Sequence, residues 1–332
     1  MDYLNILKEI GVNEEYEYTI YKNIKSKKLN LLQIMILKSN NDTIKNFLKN
    51  NIHLFKDDIN YRNEKGWTAL MMACCNSNHY SNNEIVKLLL ENGADPNIKD
   101  NNGSSALMLT FGLSNTDSNH KTVEILLKNG SDPNLQDNYG NTALIMACGL
   151  SFTDPDDELV KLLLENKADP NLQNIDGLTA LIISCCYSNI NSSNEIVKLL
   201  LENDANLNLQ DNEGWTVLMM SCRNSNKDSN NKTVKLLLEN GADPNLQDND
   251  GCTALMMSCE YSNKDSNNET VKLLLENKAD PNLQNNDRYT ALMLSCIHSN
   301  TFSNNETVRL LLENGANPNL QNDDGYTALV FK

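Results

Sequence analysis

The phrase T-A-L begins at Thr68, Thr142, Thr179, Thr253, Thr290 and Thr327, and the variants S-A-L at Ser105 and T-V-L at Thr216 fill the gaps. Every step in the series is 37 residues, with no insertion or deletion. A chain with a fixed period of this length folds as a repeat array, because each unit is too small to bury its own apolar face and must share a core with its neighbours. Six of the seven prolines fall at one offset in the unit (Pro96, Pro133, Pro170, Pro244, Pro281, Pro318). Seven of the fourteen glycines fall two residues before the Thr or Ser: Gly66, Gly103, Gly140, Gly177, Gly214, Gly251 and Gly325. Arg288 alone interrupts that column. Both columns mark turns.

Between the turns lie two apolar runs. The first, TALMMSC at 253–259, is compact; the second, ETVKLLLEN at 269–277, reads as an amphipathic helix. The pairs Ser81/Glu84, Ser192/Glu195, Ser266/Glu269 and Ser303/Glu306 have capping-box spacing and predict the start of that second helix. Gly93, Gly130, Gly241 or Gly315 supplies its left-handed exit. Lys167, Asp204 and Lys278 stand in the same slot and predict mild strain. Each unit is therefore helix, loop, helix and an extended turn such as ADPNLQDNDG.

The unit GADPNLQDNDGCTALMMSC…ETVKLLLEN at 241–277 resembles the ankyrin repeat. The resemblance covers 64–332, extends in degenerate form over 30–63, and fits repeats from a large DNA virus or an AT-rich protist genome. It implies an all-α solenoid of stacked helix-loop-helix units with short β-hairpin turns between repeats. The divisions expected are a helical N-terminal cap (1–29), a degenerate repeat (30–63), seven repeats (64–100, 101–137, 138–174, 175–211, 212–248, 249–285, 286–322) and a partial repeat (323–332) in which the chain ends inside a first helix. The family unit is about 33 residues. The four extra residues here fall between the helices, and a longer first helix is expected to absorb them. The family's T-P-L-H has become T-A-L-M or T-A-L-I, so packing of Met71, Met108, Ile145, Ile182, Met219, Met256 and Met293 is expected to replace a His network.

Composition removes several function classes. A formal charge of −16 opposes binding to a nucleic-acid backbone or an anionic membrane. No stretch approaches a transmembrane span, and MDYLNILKEIG lacks signal-peptide character. Nine cysteines without a secreted spacing point to a reducing, intracellular, cytoplasmic setting. Six of them (Cys74, Cys148, Cys185, Cys222, Cys259, Cys296) share one slot, read as a small buried packing position rather than a metal site. Asp248-Asn-Asp250-Gly251 fails the calcium-loop pattern, since Leu246 and Met257 occupy ligand places. It reads instead as a turn with Asx chemistry. No nucleotide, zinc-protease or nucleophile-elbow motif occurs, so no enzyme activity, cofactor or metal is expected.

Variation between copies carries the functional reading. The slot before the Thr reads Trp67, Ser104, Asn141, Leu178, Trp215, Cys252, Tyr289 and Tyr326; the slot eight after it reads Asn76, Leu113, Leu150, Tyr187, Asn224, Tyr261 and His298. In the ankyrin pattern both resemble positions facing the binding groove. The candidate protein-binding residues are Trp67, Asn76, Leu113, Leu150, Leu178, Tyr187, Trp215, Asn224, Tyr261, Tyr289, His298 and Tyr326. The resemblance implies a non-catalytic, monomeric scaffold whose concave face takes a protein, with charge favouring a partner of basic surface. Two alternatives are an adaptor recruiting a ubiquitin ligase or other host machine through the N-terminal segment, and self-assembly through the uncapped C-terminal end.

Overall fold

The computed structural model describes residues 18–21, 24–26, 29–37, 42–75, 80–111, 117–149, 157–186, 193–223, 228–260, 266–297 and 302–331. The chain divides into two compact units, one formed by 1–150 with 158–169 and the other by 151–157 with 170–332.

In the first unit the first helices Leu31–Leu37, Ala69–Cys75, Ala106–Phe111 and Ala143–Gly149 follow one another along the stack. The second helices Asp42–Asn51, Tyr80–Glu91, Asp117–Lys128 and Asp157–Glu165 form the adjoining layer. In the second unit the corresponding first helices are Ala180–Cys186, Val217–Arg223, Ala254–Glu260 and Ala291–Ile297. Their partners are Ser193–Glu202, Asp228–Glu239, Ser266–Glu276 and Phe302–Glu313, and a 3-10 turn at Ala328–Phe331 follows. That last turn lies where a first helix was expected. The helical cap expected over 1–29 is corrected where it is described: Tyr18–Tyr21 and Ile24–Ser26 pair as an antiparallel hairpin.

The T-A-L phrase recurs because its Thr caps the first helix. The hydroxyl oxygen of Thr68, Thr142, Thr179, Thr216, Thr253 or Thr290 accepts the N–H three residues on, at 3.1–3.3 Å. Where that residue is Met, its sulfur accepts the cap's own N–H at 3.4 Å in the Thr68, Ser105 and Thr216 repeats. This is a reciprocal cap with a thioether where Glu or Gln is usual. Asn30 and Gln33 make the amide version ahead of them. Met71, Met108, Ile145, Ile182, Met219, Met256 and Met293 are all buried, as expected of residues replacing a polar network by packing.

Three of the four second-helix starts expected from the capping-box spacing are corrected. Those helices begin at Tyr80, Ser266 and Phe302, which places Ser81, Ser266 and Ser303 inside the first turn; Ser192 lies outside the described residues. Glu84 pairs across repeats with Lys45 (2.9 Å) and Lys49 (2.8 Å), and hydrogen bonds from these ammonium groups lower its pKa to about 2. The first helices of the 37-residue repeats each run up to residues outside those described, where their expected lengthening falls. They have six or seven residues, while five of the second helices reach eleven or twelve. The four extra residues lie between the two helices, largely in segments outside the described residues.

Asparagine makes up 56 of the 332 residues, and the stack shows what many of them do. The Asn that follows the turn proline donates its amide to the carbonyl at the next repeat's helix exit: Asn97 to Gly130 (2.9 Å), Asn134 to Lys167 (2.9 Å), Asn245 to Lys278 (3.0 Å) and Asn282 to Gly315 (3.0 Å). The same side chains accept the N–H of Asp132, Asp169, Asp280 and Asn317 through their oxygens. One primary amide thus satisfies both an orphan helix-end carbonyl and a turn N–H. A second ladder joins Thr122 to Asn83, Thr233 to Asn194, Thr270 to Asn231 and Thr307 to Asn268, at 2.6–2.7 Å. Each bond contributes on the order of 1 kcal/mol.

Lys167, Asp204 and Lys278 adopt the positive φ of the glycines they replace (68, 62 and 69°), and so does Arg288 (63°). At Arg288 the cost extends to the neighbouring turn. The N–H of the following hairpin reaches the preceding one at 2.9–3.1 Å in its counterparts, but Asp323 to Asp287 is 3.3 Å. Elsewhere a glycine sits under that contact; here a Cβ does. Arg288→Gly is expected to raise unfolding stability by about 1 kcal/mol, measured by urea denaturation.

Candidate interaction groove

The slot before the Thr does not have one environment. Trp67 is only 3% exposed. Its indole N–H donates to Asp100 Oδ2 at 3.0 Å, its backbone N–H to Asn63 Oδ1 at 2.9 Å, and its carbonyl accepts the buried Gln33 amide at 2.8 Å. Trp67 is thus a core residue, which corrects its assignment to a binding face. Gln33 was missed because nothing in its own segment marks it as a cross-repeat anchor. Leu178 is half-buried. Asn76, Leu113, Leu150, Tyr187, Asn224, Tyr261 and His298 lie outside the described residues.

In the second unit three successive members of this slot, Trp215, Cys252 and Tyr289, line one groove of about 580 Å³. The fixed period places them along the stack. The hairpins contribute Asp248, Asp250, Asn285, Asn286 and Asp287, and the first helices contribute Met257, Glu260, Leu294 and Ile297. The Arg223 guanidinium lies 5.0 Å from the centre of the Trp215 ring. Phe331 packs against Tyr289 at 6.1 Å and edge-on to Tyr326 at 6.0 Å, joining two candidate residues through a third that the sequence did not single out.

Asp248 behaves as an Asx-turn residue. Its Oδ1 accepts the N–H of Asp250 (3.0 Å) and of Cys252 (2.7 Å). Burial raises the Asp248 pKa from its ordinary value, against the lowering effect of those two bonds.

The cysteine column is buried, and none of its thiols is in a disulfide. Burial pushes the Cys222 pKa to about 12 and raises those of Cys74 and Cys259 further. Only Cys252, in the groove, is half-exposed among the described cysteines. Alkylation of the folded protein followed by peptide mass spectrometry is therefore expected to modify Cys252 well before Cys74, Cys148, Cys185, Cys222, Cys259 or Cys296. Equal rates across the column would contradict this packing.

The family model for ankyrin repeats (3 copies) matches residues 3–100, 79–155, 107–190, 151–248 and 225–322. The chain belongs to the ankyrin repeat family. One ankyrin repeat protein of Acanthamoeba polyphaga mimivirus is 42% identical to this repeat protein over 76 residues, 23% of this chain and 13% of its own. Another from the same virus is 40% identical over 92 residues, 27% of this chain and 17% of its own. These relatives are consistent with origin in a large DNA virus, and the matches span less than a fifth of their length. The ankyrin repeat domain of Bcl-3, a member of the IkappaB family, covers 75% of this chain and all of its own at TM-score 0.59 and 25% identity. An ankyrin repeat domain from Acinetobacter baumannii AYE covers 64% of this chain and 98% of its own at TM-score 0.54 and 28% identity. Ankyrin repeats are general protein–protein interaction modules, typically non-catalytic, and no enzyme family is indicated. Among the described residues no helix is long and apolar enough to cross a membrane.

Proposed function

We propose that this ankyrin repeat protein is a non-catalytic scaffold that takes a protein partner on the face built from hairpin turns and first helices, with its principal contact in the Trp215–Tyr289 groove. One observation carries this reading: the slot that varies most between copies places Trp215, Cys252 and Tyr289 side by side on an open, partly apolar surface. The neighbouring slots in the helix core stay uniform because like packs on like along the stack. Aromatic side chains in such a groove supply large contact area at little conformational cost. The acidic surroundings favour a partner with a basic face.

The test is affinity purification from the native host cell with the wild type and with a Trp215→Ala/Tyr289→Ala variant. The variant is expected to keep its far-UV circular dichroism and lose its main partner. Recovery of the same partner in the same amount would overturn the reading.

A further inference from the structure

Asp100 and Asp248 hold the same place in their repeats, each 33 residues after a Trp, but only one of them is fully partnered. Asp100 Oδ2 accepts the Trp67 indole N–H at 3.0 Å, and Asp100 Oδ1 accepts two backbone N–H groups. Asp248 spends Oδ1 on the same two backbone donors, while its Oδ2 has no donor among the described residues. The residue is only 9% exposed, yet it lines the groove. A carboxylate oxygen that opens onto the groove with no donor from the described residues is available to a hydrogen-bond donor from outside the chain.

The rest of the groove indicates what kind of donor would suit. Among the described residues Asp250, Glu260 and Asp287 bring the count of lining carboxylates to four, and none of those lining residues is basic. Trp215 and Tyr289 provide ring faces, which attract cations. The protein's own Arg223 already rests over the Trp215 ring beside this acidic surface.

We infer that the groove reads a basic segment of the partner protein, with an arginine or lysine side chain lying along Trp215 and Tyr289 and donating to Asp248 Oδ2. Asp250, Glu260 and Asp287 form the rim that draws the segment in and fixes its sign of charge. The inference rests on the proposed use of this groove as a protein-binding site. Asp248→Asn isolates the charge without disturbing the turn, because Asn63 and Asn174 occupy the same slot and accept both corresponding N–H groups. Removing a carboxylate whose pKa is raised by burial also relieves a cost at neutral pH, so this variant is expected to fold at least as stably as the wild type.

The experiment measures fluorescence anisotropy of a fluorescein-labelled Gly-Ser peptide carrying two arginines, against the same peptide with citrullines, at physiological salt. The arginine peptide is expected to bind about tenfold more tightly than the citrulline peptide. Asp248→Asn and Trp215→Ala are each expected to remove that preference. Glu276→Gln, an equal charge change on an exposed second helix, is expected to leave it intact. Equal binding of the two peptides, or a preference unchanged in Asp248→Asn, would overturn the inference. If the native partner is lost in Trp215→Ala/Tyr289→Ala while the two peptides bind alike, the groove is an interface that does not read charge, and this inference alone fails. If the peptide preference depends on Asp248 but the native partner survives the double variant, the wider functional reading alone fails.

Discussion

Trp67→Ala is expected to destabilise the first unit by about 3–5 kcal/mol, the range for truncating a fully buried aromatic. The loss combines removed apolar area, a cavity in a close-packed stack and a carboxylate oxygen of Asp100 left without its indole donor. Trp67→Phe is expected to recover much of the packing while leaving that oxygen unpaired, and so to fall between the two. Trp215→Ala, at the same position of a later repeat, is expected to cost about 1 kcal/mol, because its ring is half-exposed and its neighbour Arg223 reaches water. Urea unfolding followed by far-UV circular dichroism compares all three. A Trp67→Ala cost no larger than that of Trp215→Ala would contradict the burial of Trp67.

The second large effect separates two glycine columns with almost the same φ. At Gly214 (80°) an added Cβ would lie 2.7 Å from the Asn249 backbone nitrogen and 2.9 Å from Asp248 Cα, in the next hairpin. At Gly241 (91°) nothing lies within 4 Å of such a Cβ. Gly241→Ala is therefore expected to cost about 1 kcal/mol, the conformational penalty alone. Gly214→Ala adds a clash with backbone, which cannot swing aside, and is expected to cost about 3 kcal/mol or more. Because stability in a stack is summed over neighbouring interfaces, hydrogen exchange should locate the Gly214→Ala loss at the Asn249 and Gly251 amides of the adjoining turn. The substitutions already present agree with this split. The open exit slot holds Lys167, Asp204 and Lys278 without visible displacement, whereas the crowded slot holds one non-glycine, Arg288, and there the hairpin contact has lengthened to 3.3 Å.

The period, the family and the turn positions were legible in the sequence because they depend on residues close together in the chain. Thr before a short apolar run, Gly at a left-handed exit and Pro in the turn act over four or five residues and recur at a fixed spacing. The buried Met and Cys columns followed from the same regularity. Asparagine was legible only as an excess. That its amides tie helix exits to turns 33 and 35 residues away depends on the rise between stacked repeats, which no single repeat contains. The phrase between the helices can extend either of them, and the described second helices reach eleven or twelve residues in five repeats.

The two tryptophans mark the boundary between what the sequence by itself determined and what the tertiary structure decided. The sequence determined that Trp67 and Trp215 share one slot, immediately before a capping Thr. It did not determine whether that slot faces solvent, because this depends on side chains brought in from other repeats. Gln33 and Asp100 close over Trp67, while the counterpart aspartate of Trp215, Asp248, opens with Cys252 and Tyr289 onto a groove. A local pattern fixes backbone direction and hydrogen bonding within its own turn. Burial is a sum over neighbours a full repeat away, and only the stacked structure supplies them.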